Sequence, residues 1–123
     1  REVAVAATRI ARRIEATSIV VYTLSGATAR IMSKLRPRRP IHALCPDEAV
    51  CRRMALEHGI VPHRVDYYDA TDDMLREGDR LLIEAGVVTE GDRVVVVGGT
   101  RQFASVSNMI QIRHPRTVGT EGS

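Results

Sequence analysis

Aromatic residues are scarce in this chain of 123 residues, which has no tryptophan, one phenylalanine and three tyrosines. A protein that binds single-stranded nucleic acid stacks bases on aromatic side chains that lie among basic residues. The dense basic cluster of the chain, at residues 34–39, has no aromatic neighbour in the sequence. We therefore expect no nucleic acid partner and interpret the cluster as a solvated or interface loop. A nucleic-acid binder would instead show a steep salt dependence of binding.

The sequence also lacks long apolar runs and cysteine motifs. No run approaches the roughly 20 residues of a membrane span, so we expect no membrane partner. Cys45 and Cys51 stand six positions apart, which matches no metal or redox spacing. The four histidines show no ligand spacing either, and we expect no metal site. The chain has no signal-peptide pattern, and reduced thiols are typical of a cytoplasmic protein.

The length allows one domain with a single core. The hydrophobic content of 44% and the charged content of 27% are typical of globular proteins. We assign residues 1–115 to this domain and residues 116–123 to a polar tail. Because the sequence does not begin with methionine, we expect it to be a piece of a longer polypeptide.

Hydrophobic periodicity predicts alternating helices and strands. Helices are expected at residues 2–15, 26–35, from 46–48 to a C-terminal cap at Gly59, and from 71 to Gly86. Strands are expected at residues 18–22, 41–45, 60–65, 94–97 and 109–113. This alternation predicts an α/β fold, a parallel sheet with helices on both faces. The loop before the last strand carries no predicted helix, so that strand should be antiparallel, and Pro62 indicates an edge strand.

A candidate anion site follows the first predicted strand. The apolar residues 19–22 continue directly into the polar residues Thr23, Ser25, Gly26 and Thr28, and then into a helix. Backbone N–H groups and the helix dipole favour a phosphate at such a helix start. The alternative, left open by the residues alone, is an ordinary turn in which Ser25 is the N-cap.

A second loop should lie beside the first. In open parallel sheets, ligands bind beyond the carboxyl ends of the strands, where the strand order reverses. If the first and fourth strands are neighbours, residues 23–28 should face Gly99, Thr100 and Arg101. The guanidinium of Arg101 could then make a bidentate phosphate contact.

The chain resembles the C-terminal domain of pyruvate kinase over nearly its whole length. The family pattern Thr-x-Ser-Gly-x-Thr-Ala-Arg, followed by a helix and Arg-Pro-x-x-Pro-Ile, is matched by Thr23, Ser25, Gly26, Thr28, Ala29, Arg30, Arg36, Pro37, Pro40 and Ile41. The likeness continues at Gly59-Ile60-Val61-Pro62, at Gly91-Asp92-Arg93-Val94 with Gly98-Gly99, and at Asn108-Met109-Ile110.

The resemblance implies a three-layer α/β/α domain whose mixed five-stranded sheet has the order 3-2-1-4-5, with strand five antiparallel. It also implies a regulatory domain that binds a phosphorylated effector, a sugar phosphate or a nucleotide, at Thr23, Ser25, Gly26 and Thr28. Homo-oligomer contacts and a separate catalytic barrel are implied as partners. The parent enzyme would convert phosphoenolpyruvate and ADP to pyruvate and ATP with Mg and K, whereas this domain would need no cofactor and would not be catalytic alone.

The late loop differs from the family pattern, because Ala104 and Ser105 replace glycines found in many members. The identity of the effector is therefore left open. The alternative hypothesis is a stand-alone phospho-ligand-binding protein of the same fold with an unknown activity, either a binding module or an enzyme of unknown reaction. No carboxylate cluster suited to Mg is evident, since Asp72 and Asp73 fit the first turn of a helix.

Overall fold

The computed structural model describes residues 2–66, 71–98 and 109–116. In chain order the elements are α1 (Glu2–Arg13), β1 (Ser18–Tyr22), α2 (Ala27–Lys34), β2 (Ile41–Cys45), α3 (Glu48–Met54), β3 (Ile60–Arg64), α4 (Thr71–Glu84), β4 (Val94–Gly98) and β5 (Met109–Arg113). The predicted order of helices and strands is confirmed. The predicted polar tail lies, apart from Arg116, outside the described residues.

The five strands form one mixed sheet in the order β3-β2-β1-β4-β5. β1 is paired in parallel with both β2 and β4, and β2 is paired in parallel with β3. β4 and β5 are antiparallel. The predicted topology is therefore confirmed, including the position of Pro62 in an edge strand, β3.

The helices cover both faces of the sheet unequally. α1, α2 and α3 contribute buried side chains to the core on one face, whereas α4 contributes Met74, Leu75 and Leu82 to the core on the other. This division follows from the right-handed crossover rule. The chain moves outward from β1 to β3 with α2 and α3 on one face, and it must return to β4 on the opposite face.

The strands β1, β2 and β4 are buried along their full length. Each has helices above and below, which explains why their sequences read as apolar runs rather than as alternating patterns. No helix in the described part of the chain has both the length and the apolar character needed to cross a membrane.

The third helix is shorter than predicted. Its start is as expected, because the Asp47 carboxylate accepts hydrogen bonds from the N–H groups of Ala49 at 2.8 Å and Val50 at 3.3 Å. Its end is at Met54, with Ala55 as the C-cap, so the prediction that Gly59 caps this helix was wrong. Gly59 instead lies in the turn before β3, where its φ is +75° and its carbonyl accepts from Ile41 N–H at 2.9 Å.

Candidate functional site

The 23–28 loop (residues 23–28) leaves the carboxyl end of β1, one of the central strands. β1 lies beside β4, with Val21 in register with Val97, so the predicted neighbourhood of the first and fourth strands is confirmed. Because the two strands are parallel, the loops that follow them start at the same edge of the sheet, at the point where strand order reverses. Gly99, Thr100 and Arg101 lie outside the described residues.

Thr23 holds the 23–28 loop in shape. Its side chain is buried, and its Oγ1 accepts a hydrogen bond from Gly26 N–H at 2.8 Å. Its own backbone N–H donates to the Leu44 carbonyl at 3.0 Å, which continues the pairing of β1 with β2 beyond the strand end. The hydroxyl of Thr23 therefore closes the turn from inside the protein.

Ser25 is the exposed hydroxyl of the loop. Its Oγ accepts from Ala27 N–H at 3.2 Å, and its O–H is still able to donate to a ligand. Thr28 is half-buried in the first turn of α2. Ser25 is not the N-cap of α2, which is Gly26, a residue without a capping side chain.

The backbone conformation at position 26 and the closeness of neighbouring side chains both require a glycine there. Its φ of +82° lies in the left-handed region, which disfavours residues with a Cβ. A Cβ at this position would lie 2.9 Å from Nη1 of Arg30 and 3.0 Å from Cγ of Met54. The loop therefore approaches both α2 and α3 closely, and these two helices fix its position.

Arg30 brings a positive charge onto the loop. Its Nη1 donates to the Ser25 carbonyl at 3.0 Å, so the guanidinium folds back from the second turn of α2 toward the helix start. The sequence prediction of site residues missed Arg30. The available signal was its position five residues after Ser25, because side chains on a helix lean toward the N-terminus.

The chemical groups at the 23–28 loop and the start of α2 suit a negatively charged group. They are an exposed hydroxyl, the start of a helix and a guanidinium, all of which favour negative charge. Residues 22–30 contain no carboxylate, histidine or cysteine. Among the described residues, no group of three or more side chains suited to a metal ion comes together.

Two histidines that are far apart in sequence meet on the sheet. His42 on β2 and His63 on β3 lie with Nδ1 and Nε2 3.1 Å apart. Burial and, to a smaller extent, the neighbouring His63 together lower the pKa of His42 to about 4. Burial also lowers the pKa of His63. Histidine spacing did not predict this pair, because it depends on the pairing of β2 with β3.

An ion pair joins α4 to β5. The Arg113 Nε lies 3.0 Å from each carboxylate oxygen of Asp79, and a second nitrogen donates to Oδ2 at 2.8 Å. The pair lies close to Tyr22, whose pKa is raised by burial and, to a smaller extent, by the Asp79 carboxylate.

Both cysteines, Cys45 and Cys51, are free, buried thiols whose pKa is raised by burial.

Known proteins similar to this chain are pyruvate kinases. The enzyme of Clostridium acetobutylicum is 36% identical over 101 residues, which is 81% of this chain and 21% of that protein. The enzyme of Corynebacterium glutamicum is 36% identical over 104 residues, which is 84% of this chain and 22% of that protein. The chain thus spans about a fifth of the length of these curated relatives.

A solved structure has the same fold. A pyruvate kinase from Cryptosporidium parvum superposes with a TM-score of 0.79 and 24% identity, over 92% of this chain and 22% of that one. The family model described as "Pyruvate kinase, alpha/beta domain" matches residues 1–113. The chain therefore belongs to the family of pyruvate kinase alpha/beta domains.

Proposed function

We propose that this pyruvate kinase C-terminal domain binds a phosphorylated effector at the 23–28 loop and contributes to contacts between subunits. The observation that carries the proposal is the geometry of the loop at the β1–β4 switch point. There an exposed Ser25 hydroxyl, the N-terminus of α2 and the Arg30 guanidinium lie together. These groups favour an anion without a bound metal.

A phosphate suits the loop because the Ser25 hydroxyl and the Arg30 guanidinium can donate hydrogen bonds to phosphate oxygens. The Thr23 oxygen accepts from Gly26 N–H and fixes the turn, whereas the side chains of Ser25 and Arg30 lie at the helix start, where each can donate to a ligand. Thr28 in the first turn of α2 and Gly99, Thr100 and Arg101 after β4 remain predicted contacts. The ligand class is a sugar phosphate or a nucleotide.

The whole protein, in this proposal, is a pyruvate kinase whose Mg- and K-dependent reaction takes place in a separate barrel domain. The 23–28 loop and the start of α2 supply a hydroxyl and a guanidinium, which are groups that bind an anion. An effector would regulate the enzyme only to the extent that its affinity differs between two states of the protein.

Thermal unfolding with a ligand panel tests the proposal. The panel contains fructose 1,6-bisphosphate, glucose 6-phosphate, ribose 5-phosphate, AMP, ATP and sulfate. A ligand at about 100 times its Kd should stabilise the chain by roughly 2.7 kcal/mol, a shift of several degrees. We expect one organic phosphate to give such a shift while sulfate gives much less.

Substitutions in and near the 23–28 loop test whether the ligand binds there. Ser25→Ala and Arg30→Gln should each reduce the shift, because each removes a donor to the ligand. Thr89→Ala, which removes an exposed hydroxyl from a distant turn, and Arg52→Gln on α3 are the matched controls and should keep it. A panel without any selective shift, or an equal loss in the controls, would contradict the proposal.

A further inference from the structure

A cavity of about 350 Å³ lies between α1 and the loop that follows α2. α1 leads into β1 and this loop leads into β2, so the cavity lies at the amino-terminal edge of the parallel strands. The 23–28 loop lies at the opposite, carboxyl edge. The cavity is therefore separate from the proposed effector site, and a ligand could occupy either place without the other.

Arginines dominate the wall of this cavity, and none of its described lining residues is a carboxylate. We call it the arginine cavity, after its five guanidinium-bearing residues Arg9, Arg12, Arg36, Arg38 and Arg39. The sequence places three of them in the basic cluster at residues 34–39. The fold adds Arg9 and Arg12 from α1, which lie one turn apart on the same helix face.

Within the described residues, no carboxylate forms an ion pair with an arginine of the cavity. The ion pairs among residues 2–66, 71–98 and 109–116 all involve arginines at position 64 or later. Arg39 donates from Nε to the Ala16 carbonyl at 2.7 Å, which ties the loop to the end of α1. In the same described ranges, the other four guanidinium groups of the cavity have no hydrogen bond or ion pair.

The loop is held in an unfavourable backbone conformation. Arg36 has a φ of +52°, in the left-handed region that a residue with a Cβ rarely adopts. Pro37 follows it directly, and Pro40 comes three residues later, so the loop has few alternative conformations. Strain of this kind persists where the surrounding structure fixes it, and it is frequent at ligand sites.

We propose that the arginine cavity binds a small anion that carries at least two linked phosphoryl groups, such as a diphosphate. Guanidinium groups are planar and bind phosphate oxygens in pairs, and several unpaired guanidinium groups around one space need more than one anionic charge. The volume of about 350 Å³ is in the range of small-ligand sites. A concave site of this size favours a compact ligand over a flat protein partner.

Isothermal titration of inorganic pyrophosphate into the 123-residue chain tests this proposal. The double variant Arg12→Gln/Arg38→Gln removes one guanidinium from α1 and one from the loop after α2, and it should weaken pyrophosphate binding at least tenfold. The matched control Arg52→Gln/Arg53→Gln removes two exposed arginines from α3, outside the cavity, and should stay within about twofold. Ser25→Ala should have no effect, because it alters only the 23–28 loop.

A second measurement on the unaltered chain covers the case in which the double variant does not fold. Phenylglyoxal modification, mapped by mass spectrometry, should be slowed by pyrophosphate at Arg9, Arg12 and Arg38 and not at Arg52. Equal weakening in the α3 control would mean bulk charge attraction and would overturn the proposal. So would loss of binding in Ser25→Ala, absence of binding, or tighter binding of an acidic peptide than of pyrophosphate.

Discussion

Gly78 stands in the middle of α4, where a glycine costs about 1 kcal/mol relative to alanine. The structure shows why it is there. A Cβ on Gly78 would overlap the hydroxyl of Tyr22 and would lie 3.0 Å from its Cζ and 3.3 Å from Cδ2 of Leu44. The Tyr22 hydroxyl donates to the Met74 carbonyl at 3.4 Å. The missing side chain therefore lets the tyrosine ring pass against the helix.

We predict that Gly78→Ala destabilises the protein, although alanine is the better helix former. The added methyl group must displace Tyr22, and overpacking of this kind costs about 1–3 kcal/mol. Urea unfolding measures the difference. The same substitution in a Tyr22→Phe background should cost less, because the overlapping oxygen is gone. An equal cost in both backgrounds would show that the hydroxyl is not the cause.

Sequence patterns could not predict this role of Gly78. Within a helix pattern, a glycine indicates only a low helix propensity. The residue that requires Gly78 is Tyr22, which lies on β1 and is far away in sequence. The same limit applies to Arg30, whose contact with the Ser25 carbonyl depends on the left-handed turn at Gly26. The small polar residues of the 23–28 loop were predictable because the strand, the turn and the helix are local in sequence.

Among the elements, β5 depends on few contacts. It is an edge strand that is partly exposed along its length, and among the described strands its partner is β4. The ion pair of Asp79 and Arg113 adds a side-chain link from β5 to α4, and the Asp79 side chain is only 8% exposed. Such a pair matters mainly because removal of one partner leaves the other charge partly buried.

We predict that Asp79→Asn lowers the free energy of unfolding by about 2–4 kcal/mol, somewhat below the range for fully buried pairs because the Arg113 side chain is 23% exposed. Denaturant unfolding measures this loss, and amide exchange in β5 should speed up. The exposed pair of Arg64 and Asp66 is the control, and Asp66→Asn should cost less than about 1 kcal/mol. In the double variant Asp79→Asn/Arg113→Met, part of the loss should return. A loss equal to that of Asp66→Asn would contradict this account.

At the level of elements, the sequence predicts the centre of the fold better than its helix ends. β1, β2 and β4 were predictable because strands buried on both faces need apolar runs. The end of α3 was not, because Gly59 looks like a C-terminal cap. The α-helix ends at Met54, because the N–H groups of Leu56 and Glu57 bond to carbonyls three residues earlier, in the tighter i→i−3 pattern. Leu56 in this turn is 87% exposed. The loop after β4, with Gly99, Thr100 and Arg101, stays a prediction.

For the whole molecule, the histidine pair links folding to pH. His42 is 2% exposed, and its pKa of about 4 lies below the value of about 6.5 of an unfolded chain. Between these two values the unfolded chain takes up a proton at this position and the folded protein does not. Acidification through this window therefore favours the unfolded state, and above about pH 6.5 the effect is absent.

We predict that the free energy of unfolding falls by about 2 kcal/mol between pH 7 and pH 5 because of His42. Denaturant unfolding at a series of pH values measures it. His42→Leu should remove most of this dependence, because the buried group that resists protonation is gone. His58→Gln, which alters an exposed histidine, should retain it. If the free energy of unfolding of His42→Leu depended on pH as strongly as that of the unaltered chain, other groups would be the cause of the dependence.

The sheet also separates charges of opposite sign. α4 is the one helix that the described residues place on its face of the sheet, and it carries five carboxylates and two arginines. The opposite side carries the unpaired arginines of the arginine cavity. These two groups of charges therefore contribute an electric dipole with a component along the normal of the sheet. Near a charged surface the molecule experiences a torque that turns the arginine side toward negative charge before any contact forms. At physiological salt the screening length of about 8 Å is shorter than the ~10 Å diameter of one helix, so this alignment is confined to dilute buffer.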